Sequence, residues 1–212
     1  MTFEDELNKL EENYRYKWKT EAQASKYCYK NDNNVPQMQF FALDKFDENM
    51  EIDNTKDLLI VCVGVNYGQN YDAEKSALVS SKHDHTLSRI RNRLPKLLNL
   101  KSNTFHILYT NLIPFITDRY WTKYDQNEQD DILEKEFYNN KDKVPLNYIK
   151  KLSEMLKNFS HVKWVFHGSK NSSKLSDALE KCYKMLELKN DAFIYDNLSQ
   201  VPDITKRNMR LL

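Results

Sequence analysis

The sequence predicts an α/β protein of three layers, in which a four-stranded, mainly parallel sheet lies between helices. Apolar runs rich in β-branched residues alternate with helical segments of ten or more residues, which is typical of such sheets. The longest run, residues 58–63, is apolar throughout, as expected of a strand buried on both faces. Only three glycines occur in 212 residues, and Gly64, Gly68 and Gly168 all follow such runs. Open α/β sheets bind ligands beyond the carboxyl ends of their strands, so the glycines indicate a site there.

The N-terminal segment is predicted to begin with one amphipathic helix over residues 2–18. Thr2 and Asp5 form a capping-box pattern, and an apolar stripe at helical spacing follows it. Residues 20–56 are polar and irregular, which favours a loop or extension wrapped on the core. We therefore expect residues 1–56 to pack as an N-terminal extension on an α/β unit of residues 57–212, within one structural domain.

The remaining elements follow from the spacing of apolar residues and from the residues that break it. Strands are predicted at residues 58–63, 105–109, 162–166 and 192–195. Helices are predicted at residues 86–98 with Thr86 as cap, at 129–138, at 146–159, and after Ser172 or Ser173.

Composition excludes several classes of protein. The 32 basic and 31 acidic residues give a net charge of +1, so no global charge attracts nucleic acid or an anionic membrane. No apolar run approaches the roughly 20 residues that span a bilayer, and no secretion signal is recognised at the start. The three cysteines match no metal or redox motif, which predicts free thiols in a reducing compartment. We expect a cytoplasmic monomer with no membrane association and no obligate protein partner.

Four polar segments follow the four predicted strands, at residues 64–69, 110–115, 167–170 and 196–199. In a parallel sheet these segments converge on one crevice. They supply amides, hydroxyls, aromatic rings and glycine turns, and they contain no recognisable carboxylate pair. Such groups suit a planar polar ligand such as a nucleobase, because amides pair with its edge and aromatic rings stack on its face.

These segments resemble the uracil-DNA glycosylase superfamily, especially its mismatch-specific branch. The first segment reads Gly-Val-Asn-Tyr-Gly at residues 64–68, where the branch has Gly-x-Asn-Pro-Gly. The second contains Asn111, and the last reads Asn-Leu-Ser at residues 197–199, where the branch has Asn-Pro-Ser or His-Pro-Ser. The resemblance covers about residues 58–202. Tyr67 and Leu198 stand where the branch has the two prolines.

The resemblance implies a monofunctional DNA glycosylase that hydrolyses the N-glycosidic bond of a flipped pyrimidine without metal or cofactor. It implies that Asn66 holds the attacking water and that Asn197 faces the base O2 or the sugar. It also implies that Asn111 reads the base edge and that Ser199 contacts a phosphate. Uracil-strict relatives carry a tyrosine where Gly68 stands, so Gly68 leaves room for a mismatched or 5-modified pyrimidine, including a modified base of phage DNA.

Other residues are candidates by their chemistry, each with a simpler alternative. Tyr67 and Phe115 are candidates for stacking on the base, although aromatic residues near strand ends also serve in cores. The candidates for phosphate contacts are His85, Thr86, Ser169 and Lys170. Asn66, Asn111 and Asn197 are equally compatible with turn or loop amides.

Two further features of the sequence have their own interpretations. His83, Asp84 and His85 could chelate a metal, but spacing places no third ligand. Arg89, Arg91 and Arg93 add positive charge to the helix that follows, where such a run is usually a solvated face. The alternative function is a non-catalytic nucleic-acid or nucleotide binding module on the same scaffold.

Overall fold

A computed structural model describes residues 2–65, 78–79, 85–102, 104–119, 123–139, 144–168, 173–186, 188, 192–195 and 209–211. These residues form five α-helices and seven β-strands. The helices are α1 (Phe3–Ala24), α2 (His85–Leu98), α3 (Gln126–Leu133), α4 (Val144–Met155) and α5 (Ser173–Leu186). The strands are β1 (Phe41–Asp44), β2 (Leu58–Gly64), β3 (Leu78–Val79), β4 (Phe105–Asn111), β5 (Val162–His167), β6 (Ala192–Tyr195) and β7 (Met209–Leu211).

All the described strands belong to one mixed sheet, in the order β3-β1-β4-β2-β5-β6-β7. The four central strands, β4, β2, β5 and β6, run parallel to one another. They are the four strands that the apolar runs predict. The sheet nevertheless has more than the four strands predicted. β1 pairs antiparallel with β4, β7 pairs antiparallel with β6, and β3 pairs parallel with β1.

Strand β1 lies inside the segment that the sequence predicts to be irregular. All four of its residues are buried, and it pairs with β4 from Phe41 opposite Thr110 to Asp44 opposite Ile107. The Thr110 hydroxyl also donates to the carbonyl of Phe40 at 2.9 Å. Residues 40–43 are apolar throughout, so the local pattern allowed a strand as short as β6, and the prediction of an irregular segment was wrong here.

Helices cover both faces of the sheet, which gives the three layers that the sequence predicts. On β2, Leu59, Val61 and Val63 join the larger apolar cluster, which contains residues of α1, α3, α4 and α5. Ile60 and Cys62 point to the opposite face, where they join a smaller cluster with the apolar stripe of α2. The buried strand therefore supplies side chains to two cores.

Helix α1 begins as predicted and ends later than predicted. The Asp5 amide donates to Thr2 Oγ1 at 3.2 Å, and the Thr2 amide donates to Asp5 Oδ2 at 2.9 Å, which completes the capping box. The helix continues six residues beyond position 18 because Trp18 and Ala22 extend its buried stripe at a spacing of four. Helix α1 packs on α4, and the ring centroids of Tyr14 in α1 and Tyr148 in α4 lie 5.6 Å apart.

The other predicted helices are present with shifted ends. α3 continues into a π-helical turn at Glu134–Tyr138, and α4 continues into a 3₁₀ turn at Leu156–Asn158. α2 begins at His85, so Thr86 lies inside the helix and is not the cap that the sequence predicts. Among the described residues, no helix is both long and apolar enough to cross a bilayer. Cys28, Cys62 and Cys182 are buried free thiols, as predicted.

Candidate functional site

The order of the parallel strands reverses between β2 and β5, and the carboxyl ends of these two strands border the candidate crevice. β2 and β5 are neighbours in the sheet. After β2 the chain leads through α2 to β4, on the side of β2 away from β5. After β5 it leads through α5 to β6, on the side of β5 away from β2. α2 and α5 pack on opposite faces of the sheet. Ligands of open α/β sheets bind beyond the carboxyl ends of the strands, at the point where the strand order reverses in this way.

Three strand ends meet at Gly64, the last residue of β2. A Cβ atom on this glycine would lie 2.6 Å from Asn111 Oδ1 and 3.1 Å from both Cε1 and Nε2 of His167. Asn111 ends β4 and His167 ends β5, so the amide and the imidazole approach the same point from both sides. A side chain at position 64 would displace one of them, which explains why the position holds one of the three glycines.

Backbone pairing fixes Asn111 beside Gly64. The two residues are register partners, and pairing continues past the strand ends, where the Leu112 amide donates to the Gly64 carbonyl at 3.0 Å. The Asn111 residue is 8% exposed. Within the described part of the chain, its carboxamide forms no hydrogen bond, and its polar atoms are not among the fully buried ones that lack a partner. The carboxamide is thus positioned for a partner in the crevice.

His167 is a neutral imidazole under physiological conditions. The residue is half-buried, and removal from water lowers the pKa of its ring to about 4. Above that pH the ring offers one N–H donor and one nitrogen acceptor. His167 is not among the site candidates predicted from the sequence, although its place at the end of a predicted strand, directly before Gly168, was a signal that could have identified it.

Gly168 turns the chain away from β5 with a backbone angle that favours glycine. Its φ is +109°, and a Cβ there would lie 3.2 Å from Val65 Cγ2 and 3.6 Å from Leu175 Cδ2. The close approach to Val65 holds the ends of β2 and β5 against each other. The expectation that the segments following these strands converge is therefore confirmed for residues 64–65, 111 and 167–168.

Phe115 does not lie in this crevice, so the prediction that it stacks on a base is wrong. Its side chain is fully buried in the larger apolar cluster, and its backbone forms a bridge with Met38. Leu112 and Ile113 are also fully buried. After Asn111 the chain therefore turns into the core, where the ring of Phe115 has no face available to a ligand.

Most of the other predicted site residues lie outside the described residues: Asn66, Tyr67, Gly68, Ser169, Lys170, Asn197 and Ser199. His85 and Thr86 are described only as the backbone of the first turn of α2. His83 and Asp84 also lie outside. A search of the described residues finds no group of three or more His, Cys, Asp or Glu side chains that could hold a metal ion.

The basic face predicted on α2 is only partly a solvated one. Arg89 is exposed, but Arg91 turns toward the sheet and pairs with the buried Asp44. The positive charge of Arg91 is therefore paired with the carboxylate of Asp44 inside the fold.

The chemistry of the described site is that of an uncharged hydrogen-bonding crevice. An amide and a neutral imidazole meet over the backbone of Gly64, so two uncharged polar groups stand next to each other at the strand ends. No protein-family model, curated protein or solved structure matches this chain.

Proposed function

We propose that this chain is a monofunctional DNA glycosylase that hydrolyses the N-glycosidic bond of a flipped, mismatched or 5-modified pyrimidine. The observation that carries the proposal is the position of Asn111. Its carboxamide is buried against Gly64 in the crevice between parallel strands, beside the neutral ring of His167. A uracil-DNA glycosylase-like core with four parallel strands would use an asparagine at this place to read the edge of the base.

The sequence around this point supports the proposal. Gly64 opens the motif that contains Asn66 and Gly68, and it is the register partner of Asn111. The two motifs that the resemblance assigns to water positioning and base recognition therefore start from adjacent strand ends. A base held at Asn111 would have its glycosidic bond near the segment that begins at Gly64.

The proposed mechanism depends on positioning rather than on a strong base. An amide at Asn66 cannot take a proton effectively, so it would orient the water while hydrogen bonds stabilise the departing base as an anion. Neutral donors suit this task, because they bind the uncharged base and gain strength as negative charge develops on it. Asn197 would face the sugar or the base O2, and Tyr67 would stack on the ring.

DNA is the proposed partner, with no metal or cofactor. Flipping a pyrimidine costs a few kcal/mol, and the cost is least for a weakly paired or damaged base. The proposed phosphate contacts are His85, Thr86, Ser169, Lys170 and Ser199. The protein would act as a cytoplasmic monomer.

The test is an assay for abasic sites. Duplexes that contain uracil, mismatched thymine or glucosylated hydroxymethylcytosine are incubated with the protein, and abasic product is detected by alkaline cleavage of the strand. We expect product from at least one duplex, and a loss of at least about 100-fold in rate for Asn66→Ala. Asn158→Ala is the matched control, since Asn158 is exposed at the opposite edge of the sheet, before β5.

The alternative is a non-catalytic nucleic-acid or nucleotide binding module, which the loss of the two motif prolines at Tyr67 and Leu198 favours. Binding of the duplexes without abasic product from any of them, unchanged by Asn66→Ala, would support that function and contradict the glycosylase.

A further inference from the structure

We infer that His167 and Asn111, which meet beside Gly64, form one subsite that binds the hydrogen-bonding edge of an uncharged planar base. This inference deepens the proposed function, because it rests on the flipped base as the ligand and adds His167 as a residue that determines specificity. The contacts that support it involve only described residues at the ends of β2, β4 and β5.

The first support is the geometry around Gly64. Asn111 Oδ1 and His167 Nε2 both lie within 3.1 Å of the point where a Cβ on Gly64 would stand. The two side chains come from strands on opposite sides of β2, and no side chain of β2 separates them there. The two polar groups therefore stand next to each other over Gly64, so a ligand that contacts one of them is also close to the other.

The second support is an amide that has no partner within the protein. Asn111 is 8% exposed, and its carboxamide has no hydrogen-bond partner in the described part of the chain. Its Oδ1 and Nδ2 are not among the fully buried side-chain atoms that lack a partner there, so they reach the protein surface, where a ligand or water can pair with them. A carboxamide has both a donor and an acceptor, and it matches a pyrimidine edge, which also has both.

The third support is the absence of charge on the two side chains. Burial keeps His167 neutral, and the Asn111 amide carries no charge, so the subsite has no strong attraction for a phosphate or carboxylate. The imidazole instead supplies a second neutral donor and acceptor pair. The subsite should therefore distinguish ligands by the pattern of hydrogen-bond donors and acceptors on the base. It should bind a nucleoside and the corresponding nucleotide with similar affinity.

The test is an NMR titration of the full chain with the nucleosides thymidine, deoxyuridine and deoxycytidine, and with ribose 5-phosphate as the non-base probe. The signals followed are the side-chain NH₂ of Asn111 and the Cε1–H of His167. We expect both to shift together with at least one nucleoside and neither to shift with ribose 5-phosphate. Thymidine and its 5′-monophosphate should bind with affinities within about threefold of each other.

A matched pair of variants isolates the hydrogen bond of the imidazole. His167→Phe keeps a flat ring and removes the polar atoms, whereas His167→Gln keeps a neutral donor and acceptor. We expect about tenfold weaker nucleoside binding for His167→Phe, the value of one hydrogen bond, and a change within about threefold for His167→Gln. If His167→Phe does not fold, the titration of the unmodified protein still decides the result.

Two results would overturn the inference: no shift of either side chain with any nucleoside at 20-fold excess over about 1 mM protein, or unchanged binding in folded His167→Phe. The abasic-site assay separates this inference from the proposed function. Nucleoside binding that depends on His167, without abasic product, contradicts only the glycosylase. Abasic product at an unchanged rate in His167→Phe contradicts only the subsite.

Discussion

Arg91 binds Asp44 through both the carboxylate and the main chain of that residue. Its Nε donates to Asp44 Oδ2 at 2.7 Å and its Nη2 donates to the Asp44 carbonyl at 2.8 Å. The remaining nitrogen, Nη1, donates to the carbonyl of Phe105 at 3.0 Å. One side chain of α2 therefore joins the end of β1 to the start of β4, and Asp44 is only 2% exposed there.

Replacement of Arg91 should destabilise the fold strongly. Arg91→Ala removes the guanidinium from a carboxylate that stays buried, and such changes cost about 3 to 5 kcal/mol. Arg91→Lys keeps the charge but cannot form the three directed hydrogen bonds, so we expect an intermediate loss of about 1 to 2 kcal/mol. Urea unfolding followed by circular dichroism measures both values.

Arg89→Ala is the control for this prediction, because Arg89 is exposed on the same helix and loses the same number of atoms. It should change the free energy of unfolding by less than about 0.5 kcal/mol. Equal effects of the two alanine variants would show that the contact between Arg91 and Asp44 contributes nothing to stability.

His106 should make stability depend on pH. The residue is 3% exposed; its Nδ1 accepts from the Phe46 amide at 3.2 Å, and its Nε2 lies 3.5 Å from Asp57 Oδ2. Burial lowers the pKa of the ring below its usual value of 6.5, and Asp57 only partly opposes this. The folded state therefore binds the proton less readily than the unfolded chain, so stability is full above about pH 6.5 and falls as the pH decreases.

The His106→Asn variant separates this effect from that of His167, whose pKa is lowered in the same direction. Asparagine at position 106 retains an acceptor for the Phe46 amide and does not titrate. The free energy of unfolding, measured in urea from pH 8 to pH 5, should fall less steeply for the variant than for the unmodified protein. Parallel curves for the two proteins would contradict the prediction.

Local sequence patterns were sufficient for the central strands of this fold. Residues 58–63 and 192–195 are predicted as strands within one residue of their observed ends, because burial on both faces requires continuous apolar character. β1 was not predicted, although residues 40–43 form an apolar run as long as β6. Its partner β4 is 60 residues or more away in the sequence, so nothing local showed that this run enters the sheet.

The meeting of strand ends at the two glycines was predictable, but the surroundings of single residues were not. Gly64 and Gly168 each stand where a side chain would meet a residue at another strand end. The different environments of Phe115 and His167 could not be predicted from the sequence. Both follow apolar strands, yet one ring enters the core and the other borders the crevice, and only tertiary packing makes that difference.

The three cysteines should be unreactive in the folded protein. Burial raises the pKa of Cys28 to about 12 and also raises the pKa of Cys62 and Cys182. The thiolate is the reactive form, so a disulfide reagent such as Ellman's reagent at pH 8 should label them very slowly. In 6 M guanidinium chloride all three thiols should react within minutes. Rapid labelling of any one of them without denaturant would contradict the packing described for that residue.

Gly168→Ala should destabilise the protein through the backbone. Its φ of +109° is unfavourable for any residue with a Cβ, and the new Cβ would lie 3.2 Å from Val65 Cγ2. Backbone strain of this kind costs about 1 to 3 kcal/mol, which urea unfolding should report as a lower midpoint. A midpoint equal to that of the unmodified protein would show that the turn relaxes at no cost.

Gly64→Ala should act differently, because no positive φ is involved and the clash is with side-chain atoms. The new Cβ would lie 2.6 Å from Asn111 Oδ1 and 3.1 Å from the His167 ring, so it must displace the amide, the imidazole or both. We expect a smaller loss of stability than for Gly168→Ala and at least tenfold weaker nucleoside binding, since both polar groups leave their shared position. The Asn111 NH₂ and His167 Cε1–H signals should shift in the free variant. Nucleoside binding as tight as in the unmodified protein would show that the space above Gly64 is not where the base edge lies.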